Sequence, residues 1–206
     1  LRQYGINNPE IVPSMALCLG PCDITVSEMV SAYTAFANHG IRCAPMLVNR
    51  IEDNEGNVVA RFEPRVTEVI SEESSYKMLA LLQGVIDGGT GGRLRFKYGI
   101  KAQMGGKTGT TNRNSDAWFM AVAPNLVSGC WVGGEDRDIH VDNMFYGQGA
   151  SMALPIYAYY IQKVSKDESL PYSENDTFDV PHGYDACASS ASGKYGVGPS
   201  IEEVFE

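Results

Sequence analysis

Long hydrophobic runs are missing from this sequence. No apolar stretch reaches the roughly 20 residues that a transmembrane helix requires, and no signal peptide is recognisable. The chain starts at Leu1 without an initiator methionine. We therefore expect it to be a piece of a longer protein, with any membrane anchor encoded before Leu1.

Positive charge is also scarce. The formal charge of −9 argues against nucleic acid or an anionic membrane surface as a partner, because both are bound through basic patches. Residues 166–206 carry two lysines against nine carboxylates, a charge of −7, which leaves −2 for residues 1–165. In contrast, Lys101, Lys107 and Arg113 give the segment 101–113 a charge of +3. A locally positive site on a mildly acidic body suits a small anionic ligand.

The cysteines are few and irregularly spaced, at Cys18, Cys22, Cys43, Cys130 and Cys187. An odd number at such spacing does not form a disulfide framework. Cys18 and Cys22 are four residues apart, but no second ligand pair follows at the spacing of a zinc site. We predict neither a metal site nor a cofactor.

The amino-terminal half shows helix and hairpin patterns. At 206 residues and 44% hydrophobic content, the chain has the size of one domain. A capping-box pattern from Thr25 to Glu28 predicts a first helix that ends at 38–40, and 46–51 with 58–62 predicts a hairpin. Ser71 predicts the start of a second helix, which stops at the glycines of 88–92 and is followed by a flexible loop. Its buried face is expected at Met78, Leu79, Leu82, Val85 and Ile86.

The carboxyl-terminal half begins with two apolar segments, 116–122 and 127–133, which predict an antiparallel pair covered on both faces. Pro155 favours the first turn of a last helix that ends near Val164. From 165 onward Pro, Ser, Gly and acidic residues dominate, which predicts a loosely ordered acidic tail with docked pieces. The buried side of the last helix is expected at Ile156, Tyr160, Ile161 and Val164, and the docked pieces at Phe178 and Tyr184.

The chemistry-bearing residues are concentrated at 105–111, GGKTGTT, which combines one cation, three hydroxyls and three glycines. Glycine leaves room for a ligand to approach the backbone. The ammonium of Lys107 attracts an anion that the hydroxyls of Thr108 and Thr110 can bind, and charge-assisted hydrogen bonds fix its orientation. The pattern predicts a site for a carboxylate.

Two other interpretations of Lys107 fit its surroundings less well. A phosphate loop requires a glycine where Lys101 stands and a helix after the motif, whereas the following segment is strand-like. A solvated lysine on an edge strand, which discourages aggregation, is the plain structural alternative. The adjacent glycines and threonines favour the binding site.

The K-T-G at 107–109 is one of three motifs of penicillin-recognising enzymes, together with S-x-x-K and S-x-N. Its context, GGKTGTTNRNSDAWFMAVAPNLVSGCWVGGEDRD and then GQGASMALPIY, closely resembles the carboxyl-terminal half of class A penicillin-binding protein transpeptidase domains. The resemblance runs from about Tyr4 to about Val164, so we expect 1–164 to be the carboxyl-terminal part of such a domain and 165–206 its acidic tail. It implies an α+β fold, an antiparallel sheet sandwiched by helices (the penicillin-binding and β-lactamase-like αβα fold), present only as its carboxyl-terminal portion.

The resemblance also implies roles for the motif residues. Lys107 supplies positive charge near the substrate carboxylate and assists proton movement around the nucleophile. Thr108, Gly109 and Thr110 complete the substrate-binding site, with both hydroxyls on the carboxylate. The backbone N–H of Thr110 is one of two oxyanion donors, so that Lys107 and Thr110 are the catalytic residues of this chain.

The other two motifs have no convincing match. The S-x-x-K from Ser74 to Lys77 lies in the second predicted helix, where Lys77 faces roughly 150° away from the apolar face and would keep its proton. Ser173 and Asn175 form an S-x-N in the acidic tail, out of order after Lys107. We expect the serine nucleophile, its lysine and the middle motif to be absent from these residues, and this chain alone to be inactive.

Other polar and aromatic residues receive structural interpretations. His140, in an acidic loop without a neighbouring nucleophile, is not expected to be catalytic. Asp116 either orients the Lys107 strand or serves in a turn. Core packing is the expectation for four aromatic residues, Trp118, Phe119, Trp131 and Tyr157.

The resemblance implies a bacterial D,D-transpeptidase that cross-links the D-Ala-D-Ala stem peptides of peptidoglycan through a serine acyl-enzyme and is inhibited by β-lactams. Its implied partners are stem peptides, β-lactams, cell-wall synthesis proteins and the rest of its own transpeptidase domain. An upstream glycosyltransferase domain and a periplasmic location on an inner-membrane anchor are implied as well. The alternative is a non-catalytic penicillin-recognising sensor or interaction domain. A D,D-carboxypeptidase or a β-lactamase would share the Lys107 motif, but the context after it fits the class A transpeptidases better.

Overall fold

The computed structural model describes residues 1–182, 184 and 186. The chain opens with two 3₁₀ turns, Arg2–Tyr4 and Met15–Leu19. The α-helices are α1 (Val26–Ala37), α2 (Glu72–Asp87), α3 (Arg93–Phe96), α4 (Met144–Gly147) and α5 (Ala153–Val164). The strands are β1 (Ile41–Cys43), β2 (Arg50–Glu52), β3 (Val58–Arg61), β4 (Val66–Glu68), β5 (Gly105–Thr110), β6 (Asp116–Ala123) and β7 (Leu126–Gly133).

A three-stranded antiparallel sheet, in the order β5-β6-β7, forms the centre of the fold. Side chains of β6 alternate between its faces, because successive residues of a strand point to opposite sides. Phe119 lies in the apolar cluster that includes α5, whereas Val122 packs with Leu79 and Leu82 of α2. Helices therefore cover both faces, which confirms the α+β fold with an antiparallel sheet between helices and the two strands predicted at 116–122 and 127–133.

The predicted starts of α1 and α2 are confirmed. Thr25 caps α1 in a capping box with Glu28, and Ser71 accepts a hydrogen bond from the backbone of Ser74 at the start of α2. Each cap satisfies a backbone N–H that has no partner inside the helix. The packed face of α2 differs from the prediction, because Met78 is 38% exposed and Ser75 is fully buried. The Ser75 hydroxyl donates to the carbonyl of Ala35, and this small side chain lets α1 approach closely.

The packed face of α5 was predicted only in part. Ile161 and Val164 are buried as expected, but Ile156 and Tyr160 are 52% and 44% exposed. The helix instead turns a stripe with two alanines toward the sheet, which brings the backbone of α5 close to the strands. The buried residues are Ala153, Leu154, Tyr157, Ala158, Ile161 and Val164.

Smaller elements also depart from the predictions. The hairpin of β2 and β3 is present, but β2 begins at Arg50 rather than at Met46. A second two-stranded sheet, β1 with β4, was not predicted. The segment after 92, expected to be a flexible loop, instead contains α3, whose Leu94 is fully buried in the core. Apolar burial of Leu94 explains why this segment folds back onto the domain.

The described part of the acidic segment contacts the domain. The backbone N–H of Phe178 donates to Gln103 Oε1 at 2.8 Å, and its side chain packs against the cluster of α2 and β6. The rings of Tyr184 and Tyr76 lie 5.4 Å apart in an edge-on arrangement. Both docked pieces predicted from the sequence are thus in contact with α2, while residues 187–206 of the predicted tail lie outside the described residues. In the part of the chain that the structure describes, no helix combines the length and apolar character needed to cross a membrane.

Candidate active site

The Lys107 motif forms β5, one edge of the central sheet. Lys107 lies opposite Met120 of β6, and Thr110 lies opposite Ala117. Gly105 and Gly106 are buried against α2, since a β-carbon at Gly105 would stand 2.8 Å from Leu82 Cβ. The sequence-based interpretation of these glycines as room for a ligand is therefore wrong for Gly105 and Gly106, which make room for helix packing.

Lys107 itself is exposed, as a binding role requires. Its ammonium donates a hydrogen bond to the backbone carbonyl of Thr108. Among the described residues no carboxylate forms an ion pair with it, whereas Arg113 of the same basic segment is paired with Asp138 at 3.5 Å. The charge of Lys107 is thus available to an anion.

The hydroxyls of Thr108 and Thr110 are both held by neighbours. Thr108 Oγ1 lies 2.7 Å from Thr90 Oγ1, in the turn between α2 and α3. Thr110 Oγ1 accepts the backbone N–H of Gly149 at 3.0 Å. A hydroxyl that accepts one hydrogen bond still has its own proton to donate. Thr110 therefore has a hydroxyl oxygen held by Gly149 and a proton available to donate, on the same strand as Lys107.

Gly149 must be a glycine for this contact. A β-carbon on it would stand 2.4 Å from the carbonyl oxygen of Gly109 and 2.5 Å from that of Trp118. The backbone before α5 therefore lies directly on the β5-β6 ladder.

The backbone of β5 directs the Thr110 N–H away from β6. The N–H of Thr111 donates to the Asp116 carbonyl at 3.1 Å, so these two residues form a hydrogen-bonded rung. Such rungs alternate along an antiparallel pair, and the intervening residues point their N–H and C=O groups outward. Among the residues that the structure describes, no strand pairs with this outer edge of β5. Thr108 and Thr110 thus present outward backbone groups at an open edge.

The turn after β5 is closed by side chains. Asp116 accepts hydrogen bonds from the Trp131 indole at 2.9 Å and from the hydroxyls of Thr111 and Ser115 at 3.1 and 3.2 Å. Its backbone N–H donates to Thr111 Oγ1 at 2.8 Å. The sequence left two alternatives for Asp116, orienting the Lys107 strand or serving in a turn. Both describe its position, since it is a turn residue that anchors the end of that strand.

Arg93 of α3 binds the segment before α5, which carries Gly149. One of its guanidinium nitrogens donates to the Ala150 carbonyl at 3.1 Å and to Ser151 Oγ at 2.8 Å. Its guanidinium carbon also lies 5.9 Å from the centre of the Phe145 ring. Sequence reasoning did not single out Thr90 and Gly149, which reach β5 from distant parts of the chain, or Arg93, which contacts the segment that carries Gly149. The only local signal was the family-like context GQGASM.

The rejected S-x-x-K behaves as an ordinary helix surface. Ser74 is exposed and hydrogen-bonds with Ser71 Oγ at 2.9 Å, and Lys77 Nζ lies 2.8 Å from Glu73 Oε1. The hydrogen bond that the Lys77 ammonium donates to Glu73 raises the pKa of Lys77 above its ordinary value. Lys77 therefore keeps its proton, as the helical spacing predicted, and cannot act as a base for Ser74.

The S-x-N of the acidic tail and His140 are likewise surface features. Ser173 Oγ accepts the backbone N–H of Asn175 at 3.2 Å within a turn. His140 pairs with Asp142 at 3.1 Å, and its partners among the described residues include no nucleophile.

Within residues 1–182, 184 and 186 no cluster of three or more potential metal ligands occurs. Cys18, Cys22, Cys43 and Cys130 are free thiols, and Cys187 lies outside the described residues.

The aromatic residues near the motif divide into two groups. Phe119 and Tyr157 are core residues as predicted, at 0% and 3% exposure with ring centres 5.2 Å apart. Trp131, in contrast, is 40% exposed, because its indole extends over β6 to reach Asp116. Core packing was therefore the wrong prediction for Trp131, and Trp118 is only half-buried.

Comparisons with known proteins agree with this arrangement. A family model described as the penicillin binding protein transpeptidase domain matches residues 4–128, which include all of β5. Penicillin-binding protein 1A of Rickettsia conorii is 31% identical over 234 aligned residues, covering 100% of this chain and 28% of that protein. The chain thus spans about a quarter of the length of the curated relatives it matches.

Solved structures show the same fold. The crystal structure of penicillin-binding protein 1A from Haemophilus influenzae matches with a TM-score of 0.75 and 26% identity, over 88% of this chain and 31% of that one. PonA1 of Mycobacterium tuberculosis in complex with penicillin V matches with a TM-score of 0.65 over 86% of this chain and 50% of that one; at 23% identity this likeness concerns the fold alone. The family match over more than half of the chain and the relatives named 1A lead to one assignment: the chain belongs to the transpeptidase family of penicillin-binding proteins, in its class A branch.

Proposed function

We propose that this chain supplies the carboxylate-binding and oxyanion-binding wall of a peptidoglycan D,D-transpeptidase. The observation that carries the proposal is the open edge of β5, where the ammonium of Lys107 contacts the Thr108 carbonyl and forms no ion pair among the described residues, and where the backbone N–H of Thr110 points outward. A cation and a fixed N–H donor on one strand edge are suited to an acyl group that ends in a carboxylate.

The first step in this proposal is binding of the D-Ala-D-Ala end of a stem peptide. Lys107 attracts the terminal carboxylate, and the hydroxyls of Thr108 and Thr110 donate to its oxygens. Support comes from the contacts of Thr110, whose oxygen already accepts the Gly149 N–H and whose own proton is therefore available to donate. The outward N–H and C=O groups of β5 can also pair with an extended substrate backbone, as in strand addition to a sheet edge.

The second step is acylation. A serine attacks the carbonyl carbon of the penultimate D-alanine, and the developing oxyanion is bound by the Thr110 N–H and by the N–H of the serine. D-Alanine leaves, and the amine of a neighbouring stem peptide then takes the acyl group and releases the serine. One such donor typically contributes about 10²- to 10³-fold in rate, so the Thr110 N–H is a substantial part of the catalysis.

The serine and its lysine come, in our proposal, from the part of the domain that precedes Leu1. Residues 1–164 are the carboxyl-terminal part of the transpeptidase domain, 165–206 form an acidic tail, and the chain by itself is inactive. The pairing of Lys77 with Glu73 supports this, because the only S-x-x-K of the chain lacks a neutral lysine. β-Lactams are proposed ligands of the same site, since PonA1 of the same fold was solved with penicillin V.

We further propose that the whole protein works outside the cytoplasm, held to the bacterial inner membrane by a segment before Leu1. The chemistry supports this location, because a stem peptide is an extracytoplasmic substrate. Cell-wall synthesis proteins, including an upstream glycosyltransferase domain, are the partners that this location would provide.

The proposal is tested with Lys107→Ala in the full-length protein that contains this chain. Acylation by a fluorescent penicillin is expected to fall by roughly a hundredfold or more, because the carboxylate loses its cation. Lys101→Ala is the matched control, since Lys101 is exposed, precedes β5 and makes no ion pair among the described residues. Equal acylation of the Lys107 variant and the control would refute the proposed site.

A further inference from the structure

We propose that Asp116 is a positioning residue that fixes the direction of the Thr110 N–H. This inference rests on the proposed function, because it assigns to Asp116 a part in the geometry of the oxyanion donor. Asp116 begins β6, opposite Gly133 of β7, and stands across the turn from the end of β5. It touches no reacting atom and acts through the backbone of β5.

The carboxylate of Asp116 joins three structural elements. Its Oδ1 accepts the indole N–H of Trp131 from β7, and its Oδ2 accepts from Thr111 and Ser115 in the turn between β5 and β6. The Thr111 hydroxyl also lies 2.9 Å from Ser115 Oγ, which is buried in this turn. A half-buried carboxylate that accepts three hydrogen bonds is a rigid junction, because each donor limits its rotation.

The last rung of the β5-β6 ladder depends on this junction. One half of the rung is the backbone bond from Thr111 N–H to the Asp116 carbonyl. The other half is made by a side chain, since the Asp116 N–H donates to Thr111 Oγ1 rather than to a carbonyl. The conformation of Thr111 is thus set from both its backbone and its hydroxyl by a single partner residue.

The turn held by Asp116 is in an unusual conformation. Arg113 and Asn114 have φ angles of 61° and 58°, in the left-handed region that residues other than glycine rarely adopt. Asn114 is retained there by a hydrogen bond to the Val141 carbonyl at 2.9 Å and by contact with Gly147. A turn in such a conformation persists only while its surroundings hold it, and such turns cluster at functional sites.

The peptide plane that carries the Thr110 N–H is sensitive to this anchoring. Gly109 precedes it, and a glycine allows the plane to rotate more freely than any other residue. Thr111 follows it and is fixed by Asp116. Without the Asp116 junction, the Gly109–Thr110 peptide would be held only on its Gly109 side, by the rung with Trp118, and would turn more easily from its outward direction. Lys107 and Thr108 would keep theirs, because ladder rungs flank them on both sides.

The inference is tested by acylation kinetics of the full-length protein with a fluorescent penicillin, separating the binding constant from the rate of acylation. Asp116→Asn keeps the shape of the side chain but replaces one acceptor oxygen with a donor. Thr111→Val removes the hydroxyl, and Thr111→Ser retains it. Glu135→Gln is the matched control, an exposed carboxylate that follows β7 and makes no ion pair in the described part of the chain. Thermal unfolding is measured in parallel.

We expect Asp116→Asn and Thr111→Val to lower the acylation rate by roughly ten- to a hundredfold with the binding constant nearly unchanged, since a small misplacement of a catalytic group costs rate more than affinity. Thr111→Ser and Glu135→Gln should acylate as the parent does. If Asp116→Asn does not fold, the comparison of Thr111→Val with Thr111→Ser decides.

Two results would overturn the inference. One is an unchanged acylation rate in Asp116→Asn or Thr111→Val, and the other is a loss confined to affinity. Failure of the proposed function itself is distinguishable, because Lys107→Ala would then acylate normally whatever Asp116 does.

Discussion

Gly106 immediately precedes Lys107, and a β-carbon on it would stand 2.9 Å from the carbonyl oxygen of Met120, 2.9 Å from Ile86 Cδ1 and 3.1 Å from Phe119 Cζ. Backbone on one side and the apolar cluster on the other leave no direction for such an atom to move. In contrast, a β-carbon on Gly84 in α2 would meet nothing within 4 Å. Gly106 is therefore required for the packing beneath the site, whereas Gly84 could carry a side chain without a clash.

Gly106→Ala is expected to lower the free energy of unfolding of the chain by about 1–3 kcal/mol through overpacking. Gly84→Ala should raise it by about 0.5–1 kcal/mol, because alanine loses less conformational entropy in a helix. Denaturant unfolding of the two variants measures the difference. Similar effects of the two substitutions would show that Gly106 has room that its surroundings do not suggest.

At the residue scale the sequence located β5 correctly but not the residues that support it. Lys107, Thr108 and Thr110 were identified because cation and hydroxyls are adjacent in the chain. Thr90 and Gly149 were not, because each is an ordinary turn residue until the fold brings it to β5. A long-range contact of this kind leaves no periodicity or local spacing in a single sequence.

The first helix shows what local sequence does determine. Glu28 Oε2 accepts hydrogen bonds from the backbone and hydroxyl of Thr25 at 3.0 and 2.8 Å, and the backbone bond is the main reason why the pKa of Glu28 is lowered from its ordinary value of 4.5. This cap was predictable because its partners are three residues apart. The three-residue strands β1 and β4 were not, because Ile41 pairs with Glu68 far along the chain and neither strand shows clear alternation.

The capping box leads to a pH-dependent prediction. A carboxylate whose pKa is lower in the folded than in the unfolded state stabilises the protein above its unfolded value, and the contribution is lost as the pH falls through the folded value. The free energy of unfolding should therefore fall below pH 4.5 partly through Glu28. Glu28→Gln retains an acceptor for the cap but does not titrate, so its stability should fall less steeply over this range. Equal slopes of the two proteins in acid unfolding experiments would contradict the role of Glu28.

The packed faces of α2 and α5 mark the limit of prediction at the element scale. Hydrophobicity favoured Met78, Ile156 and Tyr160, yet all three are exposed. Small residues face the neighbouring layers instead, Ser75 toward α1 and Ala158 toward the sheet. Small residues let two backbones approach closely, which increases the packing contacts along the whole helix. The hydrophobicity of a single residue does not indicate such packing in the sequence.

At the scale of the whole molecule, the sheet and its covering helices hold β5 with one edge paired and one edge open. The apolar clusters on both faces support β6, and β6 in turn fixes the register of β5. This architecture was predictable from the resemblance, because members of a family share the arrangement of their strands and helices. Composition and periodicity alone do not indicate that arrangement. The open edge is one wall of a site whose nucleophile, in our proposal, belongs to the preceding part of the domain.

The most direct test of this account is to map the penicilloyl adduct in the full-length protein. The protein is treated with penicillin and digested, and the modified peptide is identified by mass spectrometry. We predict that the adduct lies on a serine before Leu1 and that no peptide from residues 1–206 is modified. An adduct on Ser74, or on any other residue of this chain, would contradict the account.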